Sequence, residues 1–229
     1  SKHADIEDAA IGIVRSSFGL QGQKCSACSR VFVEEEAYDA LVERVVELTG
    51  KLKVGDPAER DTYMGPVNAK GSYEDFKTFC AELKAAGRVV AGGEVITEGE
   101  LGKGYFCQPT VAVDIPLDHR LWRHEMFLPI TMIHPVKDLP EAMTLANKTK
   151  YGLTAGFYGT EEEVGWFYDH IQAGVVYANR PQGATTGAWP GYQPFGGWKG
   201  SGASGKNAGG LHYLPLYMHE QIQNQVRRG

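Results

Sequence analysis

Apolar positions along this chain switch repeatedly between helical and extended spacing. Ile6, Ala9, Ala10, Ile13 and Val14 recur every three or four residues and predict an amphipathic helix over 5–17. A Gly/Gln-rich stretch, 18–24, breaks that pattern, and Val31-Phe32-Val33 predicts a short strand. Tyr38, Leu41, Val42, Val45, Val46 and Leu48 predict a helix over 36–50, followed by a turn at 54–57. Phe76, Phe79, Cys80 and Leu83 share one face of a helix over 75–86, with Gly87 as its stop signal. Strands are expected at 88–91, 110–115, 130–136, 156–158 and 175–178, and helices at 139–147 and 161–172. Strands separated by helices of this length define an α/β fold with a mainly parallel sheet and flanking helices. Beyond about 181 the regular pattern gives way to a glycine-rich stretch, and 211–225 alternates loosely, as an edge strand would. No linker divides the chain.

Composition removes several function classes. The 229 residues suffice for a substantial core. A formal charge of −5, from 28 acids and 23 bases, is the wrong sign for nucleic acid or an anionic membrane surface. No apolar run reaches the roughly 20 residues that span a bilayer, and the first residues lack a signal peptide's basic-then-apolar order. Four cysteines (Cys25, Cys28, Cys80 and Cys107) are too few for a disulfide framework in a chain this long, so reduced thiols and a cytoplasmic location are expected. Cys25 and Cys28 form a C-x-x-C without a second ligand pair, so a metal is not expected; a redox pair, a single reactive thiol or an inert one all remain. The seven histidines show no ligand spacing.

Four segments carry candidate chemistry. The glycine-rich run from Gly200 to Lys206 satisfies a phosphate-loop pattern, but Asn207 stands where Ser or Thr is needed and no strand leads in. It reads as a chance match. Around Cys25, glycines and amides precede the thiol, and Lys24 and Arg30 flank it; cations of this kind stabilise a thiolate, although a buried inert cysteine fits the spacing as well. Glu125-Met126-Phe127-Leu128-Pro129-Ile130 sets an acid and an aromatic just before a strand, a place suited to holding a ligand. Residues 187–197 form a Gly/Pro turn with aromatic side chains, where backbone amides can approach a carboxylate. Singly, each of these fits ordinary loop packing.

In their order they are more specific. Gly22-Gln23-Lys24-Cys25, Glu125-Met126-Phe127, Asn179-Arg180 and Pro194-Phe195-Gly196-Gly197 resemble the catalytic half of the aldehyde dehydrogenase superfamily. Residues 18–30, together with Thr186-Gly187-Ala188 and 191–195, are most similar to its L-glutamate γ-semialdehyde (1-pyrroline-5-carboxylate) dehydrogenase branch, which acts in proline catabolism. The resemblance covers essentially the whole chain. It implies a catalytic domain over 1–210 and, over 211–229, a strand or tail of the kind that extends a neighbouring subunit's sheet in a homo-oligomer. It implies Cys25 as the nucleophile, with its backbone amide as half of an oxyanion hole. Glu125 is implied at the nicotinamide ribose and Phe127 beside the cofactor, with NAD expected and NADP left open. Ser26, Gly187 and Ala188 are implied as anchors for the substrate's carboxylate, and Phe195 as the wall along its stem. Ser29 and Arg30 take supporting roles.

Leu128 departs from the superfamily's usual glycine, and 181–185 match no pattern of the family. Family members are about twice this length, so the dinucleotide-binding domain and the general base are expected outside this chain. That other half, in the same polypeptide or as a separate subunit, is the expected partner, and the isolated chain is expected to be inactive on aldehyde. The rival reading is a binding or assembly module that keeps the fold without the chemistry; the reactivity of Cys25 separates the two.

Overall fold

The computed structural model describes residues 1–182, 193–203, 206–227 and 229. Helix α1 (Ile6–Phe18) begins where the Asp5 carboxylate accepts the Asp8 N–H at 3.0 Å, with Glu7 and Asp8 in its first turn favouring the positive end of the helix dipole. Strand β1 (Arg30–Glu34) and helices α2 (Glu35–Gly50) and α3 (Lys70–Ala86) follow, then β2 (Arg88–Ala91), β3 (Thr110–Val113) and β4 (Ile130–Val136). Helix α4 (Leu139–Asn147) is capped by Asp138. Strand β5 (Thr154–Phe157) leads to α5 (Glu161–His170), whose Thr160 and Glu163 form a reciprocal capping box, and β6 (Val175–Ala178) completes the series.

Two sheets result. β1, β4, β3 and β2 lie in that order, with β1 and β3 both parallel to β4 and only the outer β2 antiparallel. β5 and β6 form a separate parallel pair. All four residues of β3 are buried, as a central strand covered on both faces requires. Its side chains alternate between two cores. Val111 and Val113, with Ile133 of β4, pack under α1 and α2 against Phe18, Leu41 and Val45. Ala112, with Ile130 and Met132, faces α3 and its Phe76, Phe79 and Leu83.

The α/β class with a mainly parallel sheet is as expected, and most elements fall within a residue or two of their predicted bounds. Three departures have physical causes. Helix α3 starts at Lys70, five residues before the apolar pattern, because Asn68 and Ser72 are tied to the loop before β1. β5 begins at Thr154, two residues early, because its pairing with β6 sets its ends. The strand expected over 211–225 does not form within this chain. Leu214–Tyr217 is a 3-10 turn, and the described residues after it pair with no strand. Extended backbone becomes a strand only against a partner edge, and among the described residues none reaches this segment.

Candidate active site

The loop between α1 and β1 is set by its backbone. Leu20 (φ 52°), Gln21 (φ 59°) and Gly22 (φ 66°) are three consecutive left-handed residues. For the two non-glycines that conformation costs about 1–2 kcal/mol each, so the surroundings must hold it. The Gln21 amide donates to the Pro66 carbonyl at 3.1 Å. The Gln23 amide is gripped twice by Asn68, accepting the Asn68 N–H at 2.9 Å and donating to its Oδ1 at 2.8 Å. Ser72 Oγ donates to the same Oδ1. Gly22 cannot be replaced without movement: a Cβ there would lie 2.3 Å from the Leu128 carbonyl oxygen. At this point the loop carrying Cys25 touches the loop carrying Glu125 and Phe127.

Cys25 and Ser26 stand at the centre of a turn closed by the Ala27 N–H on the Lys24 carbonyl (3.1 Å). Cys28 N–H then bonds Ser16 O, and Ser29 O accepts the Met132 N–H as the chain enters β1. The turn is therefore fixed at both ends. Cys25 is exposed, whereas Ser26 is only 2% exposed. Burial pushes the Lys24 ammonium below its ordinary pKa, and the neighbouring Cys25 acts in the opposite sense. Burial raises the other three thiols. The Cys28 thiol is pushed up and directed at the Arg30 carbonyl, and Cys80 and Cys107 are pushed up to about 12. Cys25 is exposed, Cys28 half-buried, and Cys80 and Cys107 buried.

Across from it, Met126 and Leu128 point into the core while Phe127, at φ 55°, is turned outward and 42% exposed. Glu125 is exposed. A cavity of about 550 Å³ is walled by Cys25 and Ser26 on one side and Arg123, His124 and Glu125 on another. Of the expected site residues it brings together Cys25, Ser26 and Glu125. Phe127 and Phe195 do not line it; Phe195 is half-buried, exchanging backbone hydrogen bonds with Ala208. Gly187 and Ala188 lie outside the described residues. Arg30, given a supporting role, donates to the Leu145 and Ala146 carbonyls and so closes the C-terminal end of α4 beside the site. In the phosphate-loop look-alike, the Gly200, Ser201 and Gly202 N–H groups are already bonded to Lys150, Trp198 and Lys199 carbonyls, leaving them unable to cradle a phosphate. The clamp of Gln21, Gln23 and Asn68 is not visible to pattern reading; three side-chain amides without apolar periodicity are its only local signal.

Among the described residues no group of three His, Cys, Asp or Glu is placed to hold a metal, and no helix is long and apolar enough to cross a membrane. The parallel-dominated α/β scaffold thus sets an exposed thiol, in a turn fixed at both ends, on the wall of a cavity that a carboxylate also lines. The chain belongs to the aldehyde dehydrogenase family, whose model matches residues 1–222. Within the family it is 43% identical over 226 residues to a 1-pyrroline-5-carboxylate dehydrogenase of Bacillus cytotoxicus, a match covering 98% of this chain and 42% of that protein. It also resembles the solved structure of 1-pyrroline-5-carboxylate dehydrogenase from Thermus with bound NAD (TM-score 0.86, 40% identity, 94% of this chain and 40% of that one). An NAD+ complex of aldehyde dehydrogenase from Bacillus cereus is similar too, at TM-score 0.78 and 32% identity over 86% of this chain and 38% of that one. The chain thus spans well under half the length of the relatives it matches.

Proposed function

We propose that this chain is the thiol-bearing portion of an NAD-dependent aldehyde dehydrogenase that converts L-glutamate γ-semialdehyde to glutamate. The observation that carries this reading is the placement of Cys25: exposed, in a turn fixed at both ends, on the wall of a cavity that Glu125 also lines. The donor set fits the cofactor, because an exposed carboxylate accepts from ribose hydroxyls and the out-turned Phe127 ring offers a flat face next to it. NAD, when bound, supplies the hydride acceptor.

Cys25 Sγ, as thiolate, attacks the aldehyde carbon, and the Cys25 backbone N–H meets the negative charge growing on the aldehyde oxygen, worth roughly 2.7–4 kcal/mol per donor. Loss of hydride from that carbon leaves a thioester on Cys25. Water then cleaves it, releasing the carboxylate and restoring the thiol. Lys24 stands beside Cys25 with its ammonium partly withdrawn from solvent. The Ser26 hydroxyl, with Gly187 and Ala188, would hold the substrate's carboxylate; Phe195, off the cavity in this chain, is given no contact with the substrate. The solved relative with NAD bound and the match at 43% identity support this substrate and cofactor.

The test is NADH formation from glutamate semialdehyde by this chain joined to the N-terminal portion of a full-length relative. Cys25→Ala is expected to reduce the rate on the order of 10⁴-fold or more, as loss of a covalent nucleophile does, whereas Cys28→Ala retains it. Retained turnover in Cys25→Ala would overturn the assignment. The isolated chain is expected to form no NADH.

A further inference from the structure

Phe127 holds a backbone conformation that its side chain disfavours. At φ 55° it is left-handed, a region that crowds the Cβ of a bulky residue, and its ring is turned outward. A strained residue persists only where its surroundings over-determine it, so the cause lies in what flanks Phe127.

Both of its immediate neighbours are buried. Met126 and Leu128 are 5% and 4% exposed and belong to one core cluster with Phe76, Phe79 and Leu83 of α3 and Ile130 and Met132 of β4. On the C-terminal side the chain has little freedom. Pro129 restricts Leu128 to extended backbone, the Leu128 carbonyl accepts the Ile130 N–H at 2.7 Å, and the Pro129 carbonyl accepts the Thr110 N–H at 2.9 Å. On the N-terminal side the His124 N–H donates to the Arg120 carbonyl at 3.1 Å, and the His124 ring meets Phe79 edge-on with centroids 5.4 Å apart. Turning Phe127 back to an ordinary φ would swing one of the two buried side chains out of the core. Burial of two apolar side chains outweighs one left-handed residue, so the strain stays at Phe127. Leu128 stands where the superfamily usually has glycine, which would bring no side chain to this core.

We propose that Met126 and Leu128 are positioning residues: as a pair of apolar anchors they keep Phe127 turned outward beside the Glu125 carboxylate, so that this loop is set before any cofactor binds. The proposal rests on the reading that Glu125 and Phe127 receive the nicotinamide end of NAD. A loop already ordered loses no conformational freedom on binding. Loosening it therefore weakens the hold on NAD more than it slows the chemistry at Cys25. Leu128 touches the Cys25 loop at Gly22 through its carbonyl, which every substitution at 128 keeps.

The experiment reads the anchors in this chain alone, through methionine oxidation by dilute hydrogen peroxide followed by peptide mass mapping. Met126 reports the loop, the buried Met132 reports the intact core, and the exposed Met218 reports the dose. In Leu128→Ala, Met126 is expected to oxidise at least tenfold faster than in the unsubstituted chain while Met132 stays protected, and Leu128→Ile to restore the slow rate. Leu83→Ala opens the same core from α3 and is expected to leave the ratio of Met126 to Met132 oxidation unchanged. Should Leu128→Ala expose Met132 as well, the milder Leu128→Val carries the comparison, with at least a threefold rise expected. In the protein joined to the N-terminal portion of a relative, Leu128→Ala is expected to raise the KM for NAD at least tenfold with kcat changed less than threefold. Unchanged Met126 oxidation at position-128 variants, the same change in ratio from Leu83→Ala, or a fall in kcat at constant KM would overturn the proposal. An unsubstituted joined protein that forms no NADH would overturn the functional reading instead, and Met126 oxidation would still decide whether the anchors hold the loop.

Discussion

At Gly22 and Cys25 the chemistry of the site reduces to single atoms. Gly22 combines a left-handed backbone with a carbonyl where its Cβ would be, so Gly22→Ala is expected to cost at least about 1–3 kcal/mol, read as a lowered urea midpoint. Because the clash is with Leu128 O, the same substitution should also displace the Glu125 loop. Cys25 differs from its three companions in being exposed. Iodoacetamide at neutral pH is expected to label Cys25 rapidly and stoichiometrically, the half-buried Cys28 slowly, and Cys80 and Cys107 only in denaturant; mass mapping of the labelled peptides checks this. Sequence spacing could not make that distinction. A C-x-x-C states how far apart two thiols are along the chain, not that a turn exposes the first and carries the second beneath the Arg30 carbonyl.

Among the elements, the loop between α1 and β1 shows why local pattern reading stops where it does. The helices on either side follow from apolar periodicity, and the caps at Asp5, Asp138 and Thr160 follow from side-chain type. The left-handed run Leu20–Gly22 does not, because two of its residues disfavour it and partners 45 residues away hold it in place. The same contact explains the early start of α3. Gln23→Ala is expected to lower stability by about 1–2 kcal/mol through loss of both bonds to Asn68, while Gln23→Glu keeps only the one accepted from the Asn68 N–H. A loosened turn should also change the rate at which Cys25 is alkylated relative to the unsubstituted chain, a readout that a remote packing defect would leave alone. The C-terminal segment marks the converse limit. Its alternation suits a strand, yet pairing, not alternation, makes one.

For the whole molecule, the buried thiols give stability a direction with pH. Cys80 and Cys107 titrate near 12 in the fold against an ordinary value of 9.0, so between those values the folded state holds more protons than the unfolded one. Stability is full below about pH 9 and falls as pH rises toward 12. The urea midpoint is expected to drop across that range, less steeply in the Cys80→Ala, Cys107→Ala double variant. The fold class and most strand and helix positions were legible because hydrophobic period is a local property. The division into two sheets was not, since hydrophobic period does not state which strands pair. The site was legible as motifs in order, and only in part as geometry: Cys25, Ser26 and Glu125 share a cavity, while Phe127 and Phe195 stand off it. The most direct measurement of the central claim needs no cofactor and no other half. The chain is treated with an activated acetyl ester, and nitrophenolate release and the acetylated peptide are followed together by absorbance and mass spectrometry. One equivalent of acetyl on Cys25, absent in Cys25→Ala and kept in Cys28→Ala, is the expected result; acetylation spread over the other thiols and lysines, or an unmodified Cys25, would remove it as the nucleophile.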